Sequence, residues 1–568
     1  MSVNWSILPN QNLQSIFQYF SVIEAKSLSL VCRNWRTEVD FYLKDKIWLC
    51  VDRVTDLEYL AKSVRRFESL KIPFLNPYCE YILKVIRTLN ERKLRYVNAV
   101  KEAHVSYEDS KELLNLLKTV NRDGTLSTLH LNLDQPEFLD LPETNADLND
   151  NFLRSVETLN IESVSENFHL ISKYFRNLKT LEIKDVENEL DLKLVKTLLN
   201  ANLALQNFTI KGYTFDVNTF DLLRHHKHLK KVKVNIDGIE DIYLKNYTSH
   251  LDSLDFEVCK LLDDDFRIIR NIRELKELSM SFHHDLVSEH SIKELWRKKN
   301  LSSLTVDTKC WFSMDFKAPQ LTSLVLNKMS IDNYFMEVLT KSTPNMKTFK
   351  LLDTVFFKMS FRVIQEMADN WKSLEHLDLD LLQNLQSMEE EKRLKYEPSM
   401  TPPFEKLQTL VMGCRVVTTP KEIFHNLKAP NLKELCLWFG LTMIEVEIEL
   451  TTINNYILEI TKNTPNIESL ELRDIRSETV VQLCRELGKL KSLYLDVPSP
   501  LATVKDVLEN SSSVNSLRIN NCSEVTYFPD DFKNFLFERR IKLVHSIYDE
   551  WTAERRFYGD NVEIIFGE

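Results

Sequence analysis

Glycine is nearly missing: 8 residues in a chain of 568, where an average protein carries about 7%. No two lie close enough to form a phosphate-cradling loop, and both G-x-G-x-x-G and the P-loop are absent. Turns built on positive φ are therefore expected to be rare, with connections made by short helical or extended segments. Cysteine is present 9 times but never as C-x-x-C. An odd count without that spacing excludes a disulfide framework and a zinc ribbon, and predicts reduced thiols in a cytoplasmic or nuclear protein. No apolar run reaches the roughly 18 residues of a membrane span, and no basic start leads into an apolar stretch like a signal peptide. The net charge of −11 disfavours nucleic acid as the main partner, because phosphate binding needs a basic stripe.

Catalytic patterns are missing too. The histidine clusters "RHHKH" (224–228) and "HHDLVSEH" (283–290) do not form H-E-x-x-H, and no second carboxylate cluster has ligand spacing. Both are read as solvated polar surface. G-x-S-x-G is absent, and no cysteine has a Cys/His context. The expectation is a protein without metal, cofactor or catalytic residues, and so not an enzyme.

What is abundant is one pattern, apolar-x-x-apolar-x-apolar. It starts at Phe67, Leu94, Leu126, Val156, Leu178, Leu205, Leu229, Leu251, Leu275, Leu301, Leu321, Met346, Leu374, Leu407, Leu432, Ile467, Leu490 and Val514, which makes 18 copies. The mean period of about 26 residues lies in the range of leucine-rich repeats. The last two apolar residues of each copy alternate with period two, which predicts a short strand with one buried face. The intervening segments are read as helices, such as "ENFHLISKYFRN" (166–177) with Phe168, Ile171, Tyr174 and Phe175 on one stripe. One strand and one helix cannot bury their apolar faces alone, but stacked copies can. The predicted fold class is an α/β solenoid, a leucine-rich-repeat horseshoe with parallel strands inside and helices outside.

Two intervals are long. The one from Leu374 to Leu407 contains "SMEEEKRLKYEPSMTPPFEK" (387–406), read as a mobile loop. The one from Leu432 to Ile467 contains "LTMIEVEIELTTINNYILEI" (441–460), read as an extended helix. The domain reading places a separate N-terminal segment at 1–48, a linker or N-terminal cap at 49–66, the repeats at 67–538 and a C-terminal cap at 539–568. A strand at "IWLCV" (47–51) is a candidate lead-in to the repeats.

The tetrads "TPNM" (343–346), "TPNI" (464–467), "APNL" (429–432) and "APQL" (318–321) resemble the start of the cysteine-containing repeats of F-box proteins, with Thr or Ala where those carry Cys. The N-terminus adds to the likeness. "LPNQNLQSIFQYFSVIEAKSLSLVCRNWRTEVDFYLKDKIW" (8–48) resembles an F-box through Leu8-Pro9, Ile16-Phe17, Phe20, Leu28 to Cys32, Trp35 and Trp48. Gln11 and Asn12 depart from that family's usual Glu and aliphatic residue. Three short helices, roughly 10–20, 24–31 and 33–45, are too few for a core of their own. Their apolar surface fits burial against another protein. A role purely as a cap for the repeats is the competing reading, although three helices exceed what a cap requires.

The resemblance implies a substrate receptor of a Skp–cullin–F-box ubiquitin ligase. In that reading the N-terminal segment docks on the Skp adaptor and, through it, on cullin and RING subunits, while the repeats hold a protein substrate. Such a chain performs no chemistry and acts by proximity. The residues expected at the adaptor are Leu8, Pro9, Leu13, Ile16, Phe17, Val31, Cys32 and Trp35, without a division between contact and core. For the substrate, strand register aims the residues between and after the last two motif apolars at the inner face. Towards the C-terminus these include Trp438, Arg473, Tyr494 and Arg518, and aromatic-plus-Arg clusters are typical hot spots. Packing of Trp438 against neighbouring "GLTMI" is an equal alternative. Two other functions stay open: a non-degradative interaction scaffold, and a regulatory solenoid of the Ran GTPase-activating type. The latter has longer repeats and gives no reason for the N-terminal helices.

Overall fold

The computed structural model describes residues 13, 28, 35–39, 48–50, 69–72, 96–101, 126–133, 153–161, 175–186, 189–212, 223, 225–236, 251–258, 272–282, 298–308, 317–357, 361–384, 404–414, 428–439, 458, 460–473, 477–496, 506–507, 509–511, 513–520, 542–546 and 562–566. The chain divides into two compact units, Met1–Leu275 and Lys276–Glu568.

The first unit carries β1 (Trp48–Cys50), β2 (Ser69–Ile72), β3 (Tyr96–Lys101), β4 (Thr128–Leu133), β5 (Thr158–Ile161), β6 (Thr180–Val186), β7 (Asn207–Gly212), β8 (Lys231–Ile236) and β9 (Ser253–Val258). Each pairs in parallel with the next in chain order. A helix, α1 (Glu189–Ala201), lies between β6 and β7.

The second unit carries β10 (Glu277–Phe282), β11 (Ser303–Asp307), β12 (Ser323–Asn327), β13 (Ser330–Asp332), β14 (Thr348–Phe357), β15 (His376–Asn384) and β16 (Thr409–Cys414). It continues with β17 (Glu434–Phe439), β18 (Ser469–Arg473), β19 (Ser492–Asp496), β20 (Ser516–Asn520), β21 (Lys542–Ser546) and β22 (Val562–Phe566). Parallel pairing runs β10–β11–β12–β14 and onward to β21, with β13 beside the far end of β14. β22 is antiparallel to β21. Among its described residues, helices include α2 (Asn333–Ser342), α3 (Phe361–Asn370) and α4 (Ser477–Glu486).

All 18 motif copies become strands, each starting at the motif's third residue. The apolar positions turn inward: Leu178, Leu181 and Ile183 are buried, as are Leu490, Leu493 and Leu495. The parallel ladder extends through β21 into the segment read as a cap. Its copy, "RIKLVH", keeps Leu543 alone of the three apolar positions, so the pattern hides it. The strand expected near 47–51 is β1. The chain is a leucine-rich-repeat solenoid, one parallel strand per repeat.

Repeats are joined by a recurring bond. The carbonyl of the motif's second residue accepts two successive N–H groups from the next copy. Glu157 N and Thr158 N donate to Ser127 O at 2.8 and 2.9 Å, and Lys347 N and Thr348 N to Thr322 O at 2.8 and 3.0 Å. In the described turns that make it, this bond satisfies two backbone N–H groups without glycine. Among the described residues, two non-glycine residues do adopt positive φ, Lys328 (57°) and Asp353 (46°). Asp353 sits at the register shift between β14 and β15.

The four helices bury the same stripe: Leu194, Val195, Leu198 and Leu199 in α1; Phe335, Met336, Leu339 and Thr340 in α2; Val363, Ile364, Met367 and Ala368 in α3; Thr479, Val480, Leu483 and Cys484 in α4. Each stripe begins eleven residues before the next motif: Leu194 before Leu205, Phe335 before Met346, Val363 before Leu374, Thr479 before Leu490. A stripe two residues wide per turn buries one side of a helix and leaves the other to solvent. The Asp332 carboxylate caps α2 by accepting from Phe335 N at 2.8 Å.

The proline–asparagine tetrads now have a physical reason. The Asn before the motif reaches back one repeat. Asn345 donates to Pro319 O, Asn431 to Glu405 O and Asn466 to Pro430 O, at 2.7, 2.6 and 2.7 Å. Two residues earlier stands the position where Thr or Ala replaces Cys. Thr343 and Thr464 there donate to Leu339 O and Ile460 O, both at 2.8 Å, while Ala318 and Ala429 are buried without a polar group. This position, three before each motif, forms a column through the core. In the first unit it holds Leu153, Phe175, Asn202, His226 and Ile272, and in the second Lys298, Thr343, Trp371, Phe404, Leu487 and Ser511, all buried. Trp371 Nε1 donates to Thr343 Oγ1 at 3.1 Å, linking neighbours in the column. Asn202 is satisfied by Leu178 N, Phe175 O and Leu198 O. The expectation of a solvated "RHHKH" is corrected at one residue: His226 is 5% exposed, because it falls in this column. Burial, with His225 adding to it, pushes its imidazole below its ordinary value.

Candidate protein-binding site

The strand face opposite the buried side is made by the motif's fifth and seventh residues. In the second unit, register aligns Val411, Cys436, Glu471, Tyr494 and Arg518 across β16 to β20 as one row. Strand spacing of about 4.8 Å makes such a row a continuous surface. Cys436, Glu471 and Tyr494 are half-buried and Arg518 is exposed. The Arg518 guanidinium lies 5.2 Å from the centroid of the Tyr494 ring. That geometry is a cation–π contact and holds both side chains in place before any partner arrives. Arg473 falls in register with Asp496, and Trp438 with Gly413.

Of the four residues expected at a substrate, the structure therefore brings Tyr494 and Arg518 into contact. It places Trp438 and Arg473 on strands of the same ladder, with their side chains outside the described residues. The 387–403 segment also lies outside them, as does 441–457, while Leu458 and Ile460–Lys462 are helical.

At the N-terminus, Leu13 is fully buried and Trp35 is 7% exposed. Trp35 to Val39 are helical, so Trp35 and Val39, four apart, share one face, and Val39 is fully buried. Within the chain itself, Leu13 and Trp35 are covered side chains that build the local core. Leu8, Pro9, Ile16, Phe17, Val31 and Cys32 lie outside the described residues. Among the described residues no group of three or more His, Cys, Asp or Glu could hold a metal. No described helix is long and apolar enough to cross a membrane.

Residues missed by the sequence reading include three buried polar ones, Asn202, His226 and Lys298. Counting back three from Leu205, Leu229 and Leu301 finds all of them. Burial pushes the Lys298 amine down to about 8.

Compared with known proteins, residues 5–41 match the family model of the F-box domain. A comparison with curated proteins finds no match. Among solved structures, the chain is similar to a leucine-rich-repeat protein of Leptospira interrogans, with 15% identity, 78% of this chain and 98% of that one covered, and a TM-score of 0.36. It is also similar to a chain of the Rad7–Elc1 complex in yeast, with 13% identity, 74% and 86% covered, and a TM-score of 0.32. A chain of the Toll–Spatzle complex of Drosophila matches with 12% identity, 87% and 67% covered, and a TM-score of 0.37. Scores of this size carry no functional weight. The repeat assignment rests on the strand register and burial described above.

Proposed function

We propose that this chain, an F-box domain followed by a leucine-rich-repeat solenoid, is the substrate-recognition subunit of a Skp–cullin–F-box ubiquitin ligase, working in the cytosol or nucleus. The observation that carries this reading is the F-box match at 5–41 immediately ahead of a repeat ladder whose first strand starts at Trp48. A short docking domain and a long parallel array divide the labour. The first holds the Skp adaptor and, through it, cullin and RING subunits. The second offers a wide strand face to a protein substrate.

On this reading the chain contributes position rather than reacting groups. Holding a substrate lysine near a charged conjugating enzyme converts a bimolecular encounter into an effectively unimolecular one. Leu8 and Pro9 are assigned to adaptor contact. Leu13 and Trp35, being covered within the chain, are assigned to shaping that contact. Tyr494 and Arg518, with Trp438 and Arg473 beside them on the ladder, are assigned to substrate.

The test is affinity capture of the full chain and of a Leu8→Ala/Pro9→Ala variant from cells with the proteasome inhibited. The reading expects the variant to lose adaptor and cullin together while retaining client. Equal recovery of adaptor by both chains overturns the docking assignment. Client that is retained but carries no more ubiquitin with the intact chain than with the variant supports the scaffold reading instead.

A further inference from the structure

The run "RHHKHLKKVK" (224–233) in the first unit carries five Lys or Arg and three His with no Asp or Glu, and neither the F-box nor the Tyr494–Arg518 row gives it a task. His226 fills the core column, and the described residues around it form a turn and the start of β8. Lys227, His228, Lys230 and Lys231 are exposed. Two lysines nearby are matched, Lys179 by Glu157 and Lys233 by Asp255, both at 2.6 Å. Among the described residues no carboxylate comes within ion-pair distance of Lys227, Lys230 or Lys231. Asp252, whose N–H donates to Lys230 O at 2.8 Å, sets a single acid on the next copy against three cations.

The preceding copy supplies an apolar element. Leu205 N donates to Asn202 O and Leu229 N to His226 O, both at 3.1 Å, so the two turns close with the same bond. Lys230 N and Lys231 N donate to Gln206 O at 2.7 and 3.0 Å, which stacks the second turn on the first. Two residues before the motif, the stack therefore reads Arg176, Leu203, Lys227: cation, apolar, cation, one strand spacing of about 4.8 Å per step. Leu203 is 58% exposed, and Ala204 beside it is exposed too. A single exposed leucine is ordinary. One framed by cations offers apolar area and charge to the same ligand.

We propose that this edge docks an acidic segment of a protein partner, one with a large apolar residue between its carboxylates. Three lysines without counter-charges attract anions, and release of their mutual repulsion adds to the gain on binding. Leu203 and Ala204 give a phosphate backbone nothing to bond, whereas an apolar side chain gains by covering them. Lys231 alternates with the buried Val232 and so stands on the open strand face, while Lys227 stands on the turn. A bilayer laid flat on the turn does not reach round to the strand face, but a peptide bent over the edge meets both. In an extended peptide, residues two apart share one face at about 6.7 Å. Acid, apolar, acid at that spacing meets Arg176, Leu203 and Lys227, with the long cationic side chains absorbing about 2 Å per step. The proposal needs neither the F-box nor the Tyr494–Arg518 row.

Titration calorimetry of an acetyl-Glu-Glu-Leu-Glu-Glu-amide peptide into the full chain tests it. The expected result is saturable binding that weakens as salt rises. A Lys227→Gln/Lys230→Gln/Lys231→Gln variant should lose about tenfold or more in affinity, and Tyr494→Ala/Arg518→Ala less than about twofold. Replacing the peptide's leucine by serine should cost about threefold or more with the intact chain and far less with Leu203→Ser, a coupling that a folding defect cannot mimic. No binding at millimolar peptide, unchanged affinity of the triple variant, or an equal cost of the serine peptide for both chains overturns the proposal. So does hexauridylate, or a vesicle containing phosphatidylserine, held as tightly by the same three lysines, which makes the edge a general anionic surface.

Discussion

The two units use one repeat and fill its variable positions differently. On the strand face of the first unit, polar side chains satisfy one another. The Asn160 amide hydrogen-bonds the His130 ring, Lys233 meets Asp255 at 2.6 Å, and Lys184 lies 3.7 Å from Glu182. The corresponding row of the second unit runs Val411, Cys436, Glu471, Tyr494 and Arg518. It is less charged at one end and aromatic at the other. A ladder of paired charges at the surface contributes little affinity, because each pair must be broken or desolvated before a partner can use it. A braced aromatic–arginine pair beside Glu471, with Cys436 and Val411 beyond it, presents contact area already in place. On the proposed function, recognition would fall to this row, since elsewhere on the second unit's strand face Asp307 is paired with Asn327 and Lys328 much as the charges of the first unit are paired.

The largest effect expected is on the core column of the second unit. Trp371→Ala removes a fully buried indole whose ring centroid lies 4.8 Å from that of Phe349. It should cost about 3–5 kcal/mol in urea denaturation of the full chain. A loss under about 1 kcal/mol would show that the column is not a packing element. Next, Tyr494→Ala/Arg518→Ala should reduce client capture about tenfold or more with adaptor recovery intact. Lys233→Ala/Asp255→Ala should leave capture within about twofold. Equal losses from both would erase the contrast between the faces.

The column also separates the units by pH. His226 is held below its usual 6.5 by burial and then by His225, so the unfolded chain binds a proton that the fold refuses. Stability of the first unit should fall as pH drops below 6.5, and His226→Leu should remove that sensitivity in hydrogen exchange of β8. Lys298 is the mirror case. Its amine titrates at about 8 in the fold against 10.5 when free, so stability should rise as pH climbs from about 8 towards 10.5. Lys298→Met should therefore stabilise the second unit at pH 7 by on the order of 1 kcal/mol, with the advantage gone above pH 10.5. A pH-independent difference would contradict this. The smallest effect belongs to the exposed pair Lys179–Glu157, whose double replacement by Ala should change stability by less than about 1 kcal/mol.

The repeat was legible in the sequence because burial alternates along a strand, and three apolar positions in six mark each copy. Even Leu94, whose copy "LRYVNA" is the weakest match, leads into β3. The copy that forms β21 was not legible, since Arg540 and His545 occupy two of its three apolar positions. The Tyr494–Arg518 contact followed from register, because identical spacing in neighbouring copies forces the fifth residues side by side. The buried His226 did not, because a polar residue in a charged run looks solvated until its distance to the next motif is counted.

The central claim is that the N-terminal 41 residues join this chain to a Skp adaptor while the repeats remain free for a client. The most direct measurement mixes the purified full chain with purified Skp adaptor and reads mass by light scattering behind size exclusion. The account predicts an equimolar complex, and no complex with the Leu8→Ala/Pro9→Ala variant at the same concentration. Two separate peaks with the intact chain at micromolar protein would contradict it.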